Sequence, residues 1–175
     1  MNAAERLDLL DALPHRPPML LIDRIVSVSP FEHASAEKDV TLDDPWFKGH
    51  FPGQPIFPGV LILEAMAQTA CVLAAHSTRS DTGPRLPYLV GVDHARFRRL
   101  VQPGDRLDLS VRSLRAWGPF WRLSARAEVN GELAAEATLT ATLAPAPTTF
   151  PVAAAPRHAP TATPTMPALL GAHDE

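Results

Sequence analysis

The sequence predicts an α+β domain in which a curved, mostly antiparallel sheet wraps around one long buried helix. Three observations carry that expectation. Residues 60–75 are apolar nearly all round, so a helix there is enclosed on most of its faces. Four strand-like runs follow, at 88–98, 106–116, 120–129 and 133–143. Pro103-Gly104, Gly118-Pro119 and Asn130-Gly131 punctuate them, and Asn-Gly is a strong hairpin signal. With two strands before the helix, this is a sheet laid against a helix rather than an alternating parallel architecture.

Taken in order, residues 3–13 read as a short helix with Leu7 and Leu10 on one side. His15-Arg16-Pro17-Pro18 stops it, because proline cannot continue a helix and restricts the residue before it. Residues 19–28 read as a strand, and 31–41 as its hairpin partner. Residues 43–59 hold four prolines and three glycines and form a loop with one helical turn near Pro45. The helix over 60–75 starts behind Pro58-Gly59, where proline is tolerated and free N–H groups are expected. From Ala144 onward the chain is mostly Ala, Pro and Thr, with seven of the 19 prolines. Such a segment lacks the large apolar side chains that offset ordering entropy. The expected organisation is therefore a folded domain over 1–143 and a disordered tail over 144–175.

Composition narrows the function classes. An apolar content of 46% is ordinary for a globular chain of 175 residues. The longest apolar run, 60–75, is interrupted by Glu64 and Gln68, so no membrane span is expected. The acidic, leucine-containing start does not read as a signal peptide. One cysteine, Cys71, rules out an internal disulfide and fits a reducing, cytoplasmic setting. A net charge of −3 gives no reason to expect nucleic acid. The seven histidines lack ligand-like spacing, so no metal is expected.

Four features could carry chemistry. Glu64 is the lone carboxylate of the apolar helix. It is either a structural carboxyl satisfied by Gln68, one turn on, or a desolvated general acid. His50 opens a stretch, His50-Phe51-Pro52-Gly53-Gln54-Pro55-Ile56-Phe57-Pro58-Gly59, stiffened by three prolines. Rigid placement of an imidazole beside the helix suits proton transfer to carbon, although turns alone also explain the prolines. Gly59 lets a carbonyl approach the free donors of the helix start, or is an ordinary helix beginning. Arg96, Arg98, Arg99 and Arg106 form a basic cluster, either a solvated strand face or a grip for an acidic partner.

The stretch from His50 to Gly59, followed by Val-Leu-Ile-Leu-Glu64-Ala-Met-Ala-Gln68, resembles the signature of the FabZ-type 3-hydroxyacyl-[acyl-carrier-protein] dehydratases. The similarity extends to the Leu13–Arg24 stretch, to Gly91-Val-Asp-His-Ala-Arg-Phe-Arg-Arg99, to Pro103-Gly-Asp105 and to Gly131-Glu-Leu-Ala-Ala-Glu136. The resemblance implies a hot-dog fold and no cofactor beyond the phosphopantetheine of acyl carrier protein. It implies a homodimer in which His50 of one subunit meets Glu64 of the other, and a trimer of such dimers. His50 and Glu64 would be catalytic, and the Gly59 amide would polarise the thioester carbonyl. Phe57, Val60, Leu61 and Tyr88 would line the acyl tunnel, each being equally explained as core. Arg96, Arg98 and Arg99 would contact the carrier protein. Glu64, where the isomerising relatives carry aspartate, implies dehydration without isomerisation. A hot-dog thioesterase and a non-catalytic acyl-binding subunit are the competing readings.

Overall fold

The computed structural model describes residues 13–78 and 85–145. The predicted helix over 3–13, apart from Leu13, and nearly all of the tail lie outside them. Strands β1 (Arg24–Ser29) and β2 (His33–Asp39) form an antiparallel hairpin, and a 3-10 turn follows at Pro45–Lys48. Helix α1 (Gly59–Ser77) leads to β3 (Arg85–Phe97), β4 (Arg106–Trp117), β5 (Phe120–Val129) and β6 (Glu132–Pro145). All six strands join one sheet in the order β1-β2-β4-β5-β6-β3, and every neighbouring pair is antiparallel. The predicted sheet around one helix is the observed architecture.

Period-two burial explains how the sheet encloses the helix. Trp121, Leu123, Ala125, Ala127 and Val129 point inward along β5, alternating with exposed or half-buried neighbours. Ala34, Ala36, Ala125, Ala127, Ala135 and Ala137 put small side chains on the buried face, so the helix can approach closely. Local chemistry sets the turns. Asn130 and Gly131 both take positive φ, 52° and 80°, which the two-residue β5–β6 hairpin requires.

Two boundaries differ from expectation for stated reasons. The first strand begins at Arg24 rather than at Met19, because the preceding amides are diverted. Met19 and Leu20 donate to the Arg16 carbonyl, and Leu21 donates to the buried side chain of Gln68. Helix α1 runs 19 residues, longer than the apolar core of the run, and is apolar enough by length to cross a membrane. Its burial against the sheet from Ile62 to Ala74 marks it as a core helix instead.

The two sheet edges are unlike. β1 is six residues long, whereas β3 is 13 residues long and displays Tyr88, Leu89, Val90, Val92 and Phe97 to solvent. A long, apolar, unpaired edge is a template for a further strand.

Candidate active site

Glu64 projects from the second turn of α1 with its side chain 26% exposed, less buried than an apolar helix led one to expect. Its Oε1 accepts a hydrogen bond from Gln68 Nε2 at 2.9 Å. Gln68 itself is fully buried and holds the incoming chain, donating to the Met19 carbonyl at 2.7 Å and accepting from the Leu21 amide at 2.9 Å. That clamp brings His15 to Glu64, with Nε2 3.3 Å from Oε1. Sequence reasoning found the Glu64–Gln68 pair from its one-turn spacing but missed His15. No local signal brings together residues so far apart in sequence.

Beside Glu64 lies a small cavity lined in part by His15, Gln68, Cys71, Tyr88 and Ala141. Its volume of about 50 Å³ falls well below the roughly 300–1,000 Å³ of small-molecule sites. Of the four predicted tunnel residues only Tyr88 reaches it. Phe57 is 2% exposed and packs in the core against Phe47. Leu61 is half-buried against the same core, and Val60 is exposed on the surface of the first helical turn. Cys71 is buried beside the cavity, and burial first, then the Glu64 charge, push its thiol up to about 12. A protonated, enclosed thiol is a poor nucleophile. Iodoacetamide should leave the folded protein unmodified and alkylate Cys71 only after unfolding, as intact mass will report.

His50 does not meet Glu64 within the chain. Its backbone is fixed by its own amide donating to Trp46 and by its carbonyl accepting from Ile56. The ring is oriented by a contact of 2.8 Å between Nδ1 and the Ile56 carbonyl oxygen. A carbonyl can only accept, so Nδ1 carries the proton and Nε2 presents a lone pair. This is the tautomer of a general base.

Gly59 opens α1 behind Pro58. The amides of Leu61 and Ile62 donate to the Pro58 carbonyl, whereas those of Gly59 and Val60 have no acceptor among the described residues. A further reason for glycine emerges here, since a Cβ at this position would lie 2.9 Å from Cε1 of the Phe97 ring.

The arginines divide. Arg99 bridges Asp105, at 2.9 and 3.2 Å, and Glu132, at 3.1 Å. The Arg99 hydrogen bond holds the Asp105 carboxyl below the usual carboxylate range. Arg98 is paired to Glu136. Among the described residues Arg96 hydrogen-bonds only the adjacent Ala95 carbonyl, and with Arg98, His94 and Arg126 it lines a shallow groove on the outer sheet face. No cluster of metal-ligating side chains occurs among the described residues.

A single helix laid against a six-stranded antiparallel sheet, with an acid on the helix and a histidine on the loop before it, is the architecture of a hot-dog protein. Residues 13–138 match the FabA-like domain. By that match and by its relatives, the chain belongs to the FabA-like family, among the FabZ 3-hydroxyacyl-[acyl-carrier-protein] dehydratases. It is 48% identical to the FabZ dehydratase of Anaeromyxobacter sp. (strain K) over 150 residues, 82% of this chain and 96% of that one. It is also 48% identical to the FabZ dehydratase of Myxococcus xanthus, over 78% of this chain and 89% of that one. The fold is similar to a chain of the dehydratase heterocomplex ApeI:P from Xenorhabdus doucetiae. The TM-score is 0.69 at 22% identity, over 78% and 90% of the two chains.

Proposed function

We propose that this enzyme removes water from (3R)-3-hydroxyacyl thioesters carried on acyl carrier protein, giving trans-2-enoyl thioesters in fatty-acid-type biosynthesis in the cytoplasm. The observation that carries the mechanism is the 2.8 Å contact between His50 Nδ1 and the Ile56 carbonyl, which in the neutral ring leaves Nε2 to accept a proton. His50 Nε2 takes the proton from the carbon next to the thioester carbonyl. The free Gly59 amide, at the positive end of the α1 dipole, receives the enolate oxygen that develops. The electron pair then forms the C2–C3 double bond as the C3–O bond breaks. Glu64 protonates the departing hydroxyl, which leaves as water, and exchange with solvent resets both side chains.

Each active site is shared between two copies in this reading. One chain leaves Glu64 without His50, offers a cavity too small for an acyl chain and exposes the apolar edge of β3. A second copy laid edge to edge on β3 would cover Tyr88, Leu89, Val90 and Val92 and bring its His50 to the first copy's Glu64. Trimers of such dimers are the expected assembly, and sedimentation will distinguish them from free dimers.

The test is product analysis with 3-hydroxyacyl carrier proteins of graded chain length. An absorbing enoyl thioester is expected. Release of free thiol would instead establish a thioesterase, and no turnover would establish a binding subunit.

Recognition of the carrier protein is assigned to the groove around Arg96. Arg96→Glu should lower kcat/KM several-fold for carrier-protein substrates and leave small thioester analogues unaffected. Arg98→Glu is the poorer test, because it also breaks the Arg98–Glu136 ion pair. Equal loss on both substrates would make Arg96 structural.

A further inference from the structure

We propose that His15 is a positioning residue for Glu64, donating from Nε2 to Oε1 so that Oε2 alone faces the substrate. Its activity arm rests on the dehydratase reading above; its structural arm does not.

Three observations support the assignment. His15 Nε2 lies 3.3 Å from Glu64 Oε1, and catalytic contacts of this kind commonly tighten when substrate binds. The other ring nitrogen, Nδ1, is buried without a hydrogen-bond partner among the described residues. A proton on Nδ1 would be an unsatisfied buried donor, so the neutral ring carries its proton on Nε2, facing the carboxylate. The segment bearing His15 is also held rigidly. Arg16 donates to the Leu13 and His15 carbonyls, and Gln68 clamps Met19 and Leu21 to the helix.

The consequence is an asymmetric carboxyl. Oε1 faces two donors, Gln68 Nε2 and His15 Nε2, whereas Oε2 has no partner among the described residues. The two oxygens therefore differ in task. Oε1 holds the group in place and stabilises the charge left after proton transfer, and Oε2 exchanges the proton. Cys71, also close to Glu64, remains a neutral thiol and offers no competing charge. Tyr88 and Gln68 supply the other polar groups of the cavity.

Two variants separate positioning from packing. His15→Leu fills much of the volume without a donor, and His15→Gln carries an amide N–H to about the place of Nε2. Loss of one hydrogen bond to a charged group predicts that His15→Leu lowers kcat about tenfold to a hundredfold with KM nearly unchanged. His15→Gln should restore most of the loss. Independently of any activity, nitrogen NMR of histidine-labelled wild-type protein should find His15 as the Nε2–H tautomer, its signals assigned by their loss in His15→Leu. Full activity in His15→Leu, equal impairment of both variants, or a Nδ1–H tautomer would each overturn the proposal. A wild-type protein that does not dehydrate but holds the Nε2–H tautomer refutes the function reading and leaves the positioning role standing.

Discussion

Mixing His50→Ala and Glu64→Gln subunits should restore about a quarter of wild-type activity, although each variant alone is nearly inactive. The expectation follows from where one chain puts the two side chains. His50 is held by the loop that precedes α1, against the Ile56 carbonyl, and Glu64 is engaged by Gln68 and His15. Neither touches the other. In the dimer proposed across β3, each site would take its histidine from one subunit and its acid from the other. A mixed dimer then gathers both lesions in one site and leaves the second intact. Random pairing makes about half of the dimers mixed, each with one working site of two, hence about a quarter of the activity. Removing either a general base or a general acid costs roughly a hundredfold to ten-thousandfold, so the background is low. Subunits must be co-expressed with distinct tags: the unfractionated mixture should give about a quarter of wild-type activity, and the isolated doubly tagged dimer about a half. If purified mixed dimers stay inactive, both residues serve one chain's site and the shared arrangement is wrong.

Local chemistry decided what the sequence could reveal. Asn130-Gly131 specifies its turn by itself, since both residues must adopt positive φ, and the strands on either side appear where expected. The mostly apolar helix betrayed its burial because so apolar a segment is stable in water only when packed against other elements. The start of β1 was misjudged because Met19, Leu20 and Leu21 look like strand residues. Their amides are claimed by Arg16 and by Gln68, partners that no short window of sequence includes. The candidate site divides in the same way. Glu64 and Gln68 are one helical turn apart, so their contact could be foreseen. His15 meets Glu64 through the fold alone, and Phe57 looks like a tunnel wall until the packing puts it against Phe47. Charge was equally ambiguous. The four arginines read as one cluster, yet Arg99 and Arg98 are paired with acids that lie far along the chain, on β6.

Gln68→Leu should lower the melting temperature by roughly 10 °C and reduce activity as well. Gln68 is fully buried and forms three hydrogen bonds, to the Met19 carbonyl, from the Leu21 amide and to Glu64 Oε1. Leucine is of similar bulk, one bond shorter, and can make none of them. The Leu21 amide, itself in the core, then has no acceptor, and each buried polar group left unpaired costs about 1–3 kcal/mol. Met19 is partly exposed, so water can satisfy part of its carbonyl's need, which keeps the total near 2–4 kcal/mol. For a domain of this size each kcal/mol is worth about 3–5 °C. The damage is also directional. Releasing the segment from Leu13 to Leu21 frees His15, and Glu64 loses its second donor at the same moment. Gln68→Glu should be worse for stability, because it buries a second carboxyl against Glu64. Thermal unfolding followed by circular dichroism reads the first effect, and kcat at saturating substrate reads the second. A Gln68→Leu protein that melts within about 2 °C of wild type would mean that the segment is held by the packing of Leu13, Leu21 and Ile22, and that the clamp adds nothing.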